Sequence, residues 1–250
     1  MRLLAERARR EEQMDDPAIA PEIYAHVLAD LARVNRWTLT ARPTLRFLKQ
    51  ATRGLSRFSL LDVGFGHGDM LRSIARWAHR RAIACDLVGV DLNPLSAAVA
   101  REASAGQPEI DFRTGDYRLQ PERFDFIISS QVGHHMTSDQ LRAFLQFMES
   151  QALRGWLLSD LDRHVISYLG FPLLARLMRV HRIVREDGTL SIARSIRASE
   201  WPAILTDAGI DLGVVRVQRH MPFRISVERH FPPTSDLARQ GWGENVRRFE

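Results

Sequence analysis

The chain has a single cysteine, Cys85, and a single lysine, Lys49. One thiol excludes a disulfide framework and any zinc site built on cysteines. No apolar run approaches the roughly 18 to 20 residues that a membrane-spanning helix needs. Met1 to Asp16 alternate charges of both signs and lack the apolar core of a secretory signal. These absences lead us to expect a cytoplasmic chain with no membrane span. The scarcity of lysine puts almost all positive charge, net +5, on arginine. Those arginines are spread along the chain and interleaved with acids, as in Arg9-Arg10-Glu11-Glu12 and Arg101-Glu102. Phosphate backbones are bound by a concentrated basic face, so a nucleic acid is not the expected partner; a small molecule is. No sequence feature assigns an oligomeric state.

What is present is ordinary globular composition, 45% hydrophobic and 26% charged over 250 residues. The first segments read as helices, Pro21 to Leu31 and Pro43 to Ala51, with apolar residues at helical spacing. From Phe58 onward the pattern alternates. Strand-like runs are Ser59–Val63, Leu87–Asp91, Ile110–Arg113, Phe124–Ser129 and Gly155–Asp160, with helices predicted at Gly68–His79, Pro94–Ala103 and Ser138–Gln151. Such alternation predicts a parallel sheet covered by helices on both faces. After Asp160 the rhythm breaks, and Gly170 and Pro172 argue against one uninterrupted helix there. A helix is predicted from Ser199, as N-cap, to Ala208, with Gly209 just past its end. Leu212–Gln218 and Phe223–Val227 are too closely linked to be anything but antiparallel.

The strongest signal is Leu60-Leu61-Asp62-Val63-Gly64-Phe65-Gly66-His67-Gly68-Asp69. An apolar strand ends in three alternating glycines and then opens a helix. Glycine lets the main chain approach a ligand closely, and the helix start offers free N–H groups. Asp91 ends the next strand, where a carboxylate can accept hydrogen bonds from a ribose diol. The dinucleotide fingerprint G-x-G-x-x-G fails here, because Asp69 occupies its last position. A diphosphate would also sit poorly beside Asp62 and Asp69, whereas a cationic sulfonium nucleoside would tolerate them, with Asp62 orienting the ammonium of its tail.

Leu60–Gly68, Asp91, Gly115-Asp116-Tyr117 and Phe124-Asp125-Phe126-Ile127-Ile128-Ser129 together resemble the successive motifs of class I S-adenosylmethionine-dependent methyltransferases. The likeness is greatest to the small-molecule branch that includes quinone methyltransferases. Met14-Asp15-Asp16-Pro17, Val34-Asn35-Arg36-Trp37 and Asp187-Gly188-Thr189-Leu190-Ser191 resemble a bacterial subgroup associated with polyketide synthases, hence secondary metabolism. The resemblance implies an α/β, Rossmann-like, seven-stranded, mostly parallel sheet with an antiparallel last strand. Its implied divisions are an N-terminal helical cap at 14–56, a methyltransferase domain at 57–230 with a helical lid insertion at 161–197, and a C-terminal tail at 231–250. It implies S-adenosyl-L-methionine as cofactor, held by Asp62, Gly64, Gly66 and Gly68. Asp91 would meet the ribose, Asp116 the adenine amino group, Leu92 and Tyr117 the ring faces, and Ser129 and Gln131 the methionine part. Read without the family, Asp116 is equally a turn residue after Gly115.

Gly133-His134-His135-Met136 follows the Phe124–Ser129 strand, at the sheet edge where ligands bind in open α/β folds. Histidine titrates near physiological pH, so His135, or else His134, is a candidate base for a hydroxyl acceptor. The alternative is structural: one or both imidazoles cap the helix near Ser138. Asp160, Asp162 and His164 were weighed as a metal set, but they form no recognisable ligand pattern and no metal is expected. The stretch Ser129-Ser130-Gln131-Val132 lacks the Asn/Asp-Pro-Pro-aromatic pattern of enzymes that methylate nucleic-acid bases. Tyr168, Phe171, Leu174 and Met178 are candidate liners of an apolar acceptor pocket. The expected reaction is methyl transfer to a hydroxyl of a hydrophobic phenol or polyketide. Carbon or nitrogen methylation, and cofactor binding without catalysis, remain the alternatives.

Overall fold

Strand order, more than any single element, positions the site. The computed structural model describes residues 4–106 and 110–232, so the expected tail lies, beyond Pro232, outside the described residues. The chain opens with α1 (Pro21–Trp37) and α2 (Ala41–Ala51), then β1 (Arg57–Val63), α3 (Asp69–His79), β2 (Ala84–Asp91), α4 (Pro94–Ala103) and β3 (Ile110–Thr114). The second half holds β4 (Phe126–Ser130), α5 (Ser138–Gln151), β5 (Gly155–Leu161), α6 (Val165–Leu177), α7 (Arg182–Arg194), α8 (Trp201–Asp207), β6 (Val215–His220) and β7 (Arg224–His230). The sheet runs β3-β2-β1-β4-β5-β7-β6. All neighbours from β3 to β5 are parallel, and β7 inserts antiparallel between β5 and β6.

β1 is buried from Phe58 to Val63, as expected of a central strand covered on both faces. Alternate residues point to opposite layers. Leu61 and Val63 join Phe144, Leu145 and Trp201 on the α5/α8 side. Phe58 and Leu60 join Phe47, Leu71 and Ile74 on the α2/α3 side. Chain direction across the sheet reverses at β1, whose neighbours are β2 and β4. Crossovers on opposite sides leave a crevice at the carboxyl ends of those strands, where open α/β sheets take ligands.

The segment after β5 departs from expectation. α6 runs unbroken through Gly170 and Pro172. Proline there forgoes one helical hydrogen bond, but tertiary packing outweighs that loss. Ala175 is fully buried beside Val27, Val34 and Val184, and the Phe171 ring nests on Gly188 of α7, where any Cβ would overlap it. α8 begins two residues late as well. Ser199 lies ahead of it, and Glu200 occupies the N-cap without a capping side-chain bond, its carboxylate accepting from Arg197 N and pairing with Arg163. Among the described residues no helix is long and apolar enough to cross a membrane.

Candidate active site

The turn after β1 has the backbone its glycines foretell: Gly64, Gly66 and Gly68 sit at φ +78°, +51° and +74°. A Cβ on Gly64 would overlap Val132, and one on Gly68 would lie 2.8 Å from the Phe112 ring. The turn is tied to β2 twice. Gly64 N donates to the Val90 carbonyl at 2.8 Å, and Gly66 N donates to Asp91 Oδ2 at 3.0 Å. Asp91 Oδ1 accepts from Asn93 N at 2.9 Å. Burial nonetheless pushes the Asp91 carboxyl up, with those backbone donors opposing it. Asp62 is more exposed to this cost. Its side chain is buried, and among the described residues Oδ1 has no hydrogen-bond partner. Burial first, then the charges of Asp69 and Asp91, push its carboxyl up to about 8. An isolated buried carboxylate of this kind is stabilised by a cationic donor.

A mainly apolar cavity of about 400 Å³ opens beside this turn. Asp62, Gly64, Gly66 and Gln131 line it from the sheet, and Leu28, Phe171 and Leu174 from the helices. Tyr168 and Met178 are not on its wall; Met178 packs instead against the Val27–Val184 cluster. Gln131 adopts φ +62°, so its side chain can donate to Asn35 Oδ1 at 2.9 Å and accept from Arg224 at 3.2 Å. Arg224 itself is buried, donates to Thr38 Oγ1 at 2.9 Å, and is pulled down to about 10 by burial.

Gly68, Asp91, Leu92, Asp116, Tyr117 and Ser129 sit off this wall. Ser129 turns into the sheet, its hydroxyl donating to the Val63 carbonyl at 2.9 Å, and Ser130 lines the cavity in its stead. Leu92 is 73% exposed beside the Asp91 strand end. Asp116 caps the turn Tyr117–Leu119 by accepting from Arg118 N at 2.8 Å, and pairs with the Arg118 guanidinium. Tyr117 lies edge-on to Phe144 and Phe147.

The two histidines occupy a 3-10 turn, Gly133–His135, directly after β4. Neither ring caps α5, which has its own capping box from Thr137 and Gln140. His134 is buried; its Nδ1 meets Asp160 Oδ1 at 2.7 Å, and its backbone N donates to the other Asp160 oxygen at 2.9 Å. Its Nε2 faces Glu12 Oε1 at 3.6 Å. Burial alone would lower this imidazole, but Asp160 and Glu12 together raise it to about 9. His135, partly exposed to the cavity, has Nδ1 on Asp15 Oδ2 at 2.9 Å and Nε2 facing Glu12 Oε2 at 3.8 Å. Glu12 is buried, held by the Ser191 hydroxyl at 2.8 Å, and kept below its usual range by the histidines despite burial. Asp160, Asp162 and His164 do not converge. Asp160 serves His134, Asp162 lies 3.6 Å from Arg219, and His164 caps α6 and stacks on Phe223.

Glu12 and Asp15 are not among the residues the sequence marks for chemistry, because the interleaved charges near Arg9 carry no site pattern and Asp15 stands out only within Met14-Asp15-Asp16-Pro17. They reach the site because Gln13 N and Met14 N both donate to Asp187 of α7, at 3.0 and 2.9 Å. The contacts of Arg224 and Asn35 with Gln131 have no sequence signal either, since only the tertiary fold brings α1 and β7 beside β4.

A reversed parallel sheet, a glycine turn after β1 and an acid at the end of β2 define a Rossmann-like α/β class, closed by the antiparallel β7. Within that class the fold is that of the class I S-adenosylmethionine-dependent methyltransferases, and residues 60–152 match the family model described as "Methyltransferase domain". No curated protein matches the chain. Among solved structures, a SAM-dependent methyltransferase from Aquifex aeolicus is similar at 18% identity and TM-score 0.57, covering 84% of this chain and 98% of that one. Human N-acetylserotonin methyltransferase in complex with SAM is similar at 14% and 0.59, covering 86% of this chain and 57% of that one. The plantazolicin methyltransferase BpumL in complex with SAH is similar at 12% and 0.60, covering 84% and 96%. At such identities the likeness is one of fold.

Proposed function

We propose that this protein transfers a methyl group from S-adenosylmethionine to a hydroxyl of a hydrophobic small molecule, a phenol or polyketide, in the cytoplasm. One observation carries the reading: a single apolar cavity has on its wall both the orphaned Asp62 carboxylate with its glycine turn and the histidine–carboxylate cluster. The first fits the cofactor, the second an acceptor that must lose a proton. Asp62 is the partner for the ammonium of the methionine tail, Asp91 takes the ribose hydroxyls, Asp116 the adenine amino group, and Leu92 and Tyr117 flank the ring. The fit rests on Asp62 Oδ1, a buried acceptor without a donor. Structures similar in fold are of complexes with SAM or SAH, which supports this choice of cofactor.

When bound, S-adenosylmethionine would supply a methyl carbon activated by its sulfonium for transfer to the acceptor oxygen. The protein's share is alignment, worth about 7 to 11 kcal/mol in favourable systems, and removal of the hydroxyl proton. That proton leaves to the histidine–carboxylate cluster, where His135 is the partly exposed imidazole and Asp15 fixes its Nδ1. His134, sealed between Asp160 and Glu12, supports the cluster. The α6–α7 pair and α1 supply apolar walls, which favour a hydrophobic acceptor over a polar one. Incubation with labelled S-adenosylmethionine and a panel of phenols, with products read by mass spectrometry and NMR, tests the reading. An O-methyl product supports it; a C- or N-methyl product reassigns the acceptor atom. Cofactor binding without turnover across the panel overturns catalysis.

A further inference from the structure

We infer that Glu12, His134 and His135 form a binding site for one divalent transition-metal ion of the zinc type, on the wall of the acceptor cavity. Three donors converge: one ring nitrogen from each histidine and a Glu12 carboxylate oxygen all lie within 4.8 Å of one another. Each Nε2 faces its own Glu12 oxygen, at 3.6 and 3.8 Å. Those spacings are close to the edge of a tetrahedron of ligands about 2.0–2.2 Å from a central ion. Two imidazoles and one carboxylate, with a remaining position open, is a donor set of catalytic zinc sites.

The outer shell agrees. Ligating histidines almost always donate their other ring N–H to a carboxylate or carbonyl, which fixes the tautomer and leaves Nε2 free for the ion. Here both do so, His134 to Asp160 at 2.7 Å and His135 to Asp15 at 2.9 Å. Glu12 is fixed as well, by the Ser191 hydroxyl. The nearby cations do not occupy the carboxylates. Arg194 donates to the carbonyls of His134, Arg10 and His135, and Arg7 to those of Arg194, His134 and Met136. Three carboxylates therefore surround two imidazoles, and positive charge is favoured between them. The site's chemical role rests on the methyl-transfer reading: an acceptor hydroxyl in the open position loses its proton to water more readily, so the ion does by polarisation what a bare His135 does by proton transfer.

Binding itself is measurable without turnover. Full-length protein stripped with chelator is titrated with Zn²⁺ by calorimetry, and with Co²⁺ by visible absorption. The expected result is one ion per chain with the d–d bands of a four- or five-coordinate nitrogen–oxygen site. His135→Ala should abolish this binding, and Asp15→Asn should weaken it about 10- to 100-fold. His26→Ala, at the other histidine pair beside His181, should leave it unchanged. His134 is left intact because its burial makes misfolding a confounder. No stoichiometric binding by the wild type, or wild-type affinity in both His135→Ala and Asp15→Asn, overturns the site. Affinity for S-adenosylhomocysteine, measured on the same samples, reports separately on the cofactor end of the cavity.

Discussion

Asp62 shows how much one carboxylate can report. Its folded value of about 8 stands above the unfolded value near 4. Protonated Asp62 therefore contributes stability that is complete below about pH 4 and lost as pH rises toward about 8. The ligand-free protein should lose thermal stability over that range more steeply than Asp62→Asn, by calorimetry. Binding reverses the preference, because the ammonium of S-adenosylhomocysteine favours the ionised form. Its affinity should rise between about pH 6 and 8 in the wild type and be weaker and flatter in Asp62→Asn. For Asp91→Ala, loss of two hydrogen bonds to a charged group, at about 1.5 kcal/mol each, predicts cofactor binding weaker by on the order of 100-fold. His135→Ala should instead cut turnover by about 10²- to 10⁴-fold with cofactor affinity unchanged. Equal losses in both quantities would remove His135 from the chemistry.

Elements differ in how plainly their sequences declared them. The alternation from Phe58 to Asp160 was legible because parallel strands and their crossover helices carry strong, distinct periods. The α6–α7 pair was not, since Gly170 and Pro172 are breakers locally and are overruled only by the fit of Phe171 onto Gly188. That fit is testable. Gly188→Val should displace Phe171, at a cost of about 1 to 3 kcal/mol, and lower the melting temperature. Because Phe171 also lines the cavity, acceptor KM should rise while cofactor affinity holds. An unchanged KM would detach α6 from acceptor recognition.

At the scale of the whole molecule, the two ends of the cavity come from different kinds of sequence. Asp62, Gly64, Gly66 and Asp91, the proposed cofactor end, lie on one β-α-β unit, so local spacing makes them legible. Of the proposed acceptor end, the histidine pair and the liners Phe171 and Leu174 are legible in the sequence. Its partners Glu12, Asp15, Asp160 and Ser191 are scattered along the chain, and no periodicity joins them. A ligand spanning the cofactor end ties β1, β2 and β4 together, so saturation should stabilise the native state. At about 100 times Kd the gain is about 2.7 kcal/mol, roughly 5 to 10 °C for a chain this size. A melting curve unmoved by S-adenosylhomocysteine contradicts the assignment.

The strap that carries Glu12 has an order of assembly built into it. Its dock, Asp187, which receives Gln13 N, lies 174 residues downstream. Ribosomal synthesis must therefore produce the sheet through β5, and α6 and α7 after it, before this strap has anywhere to dock.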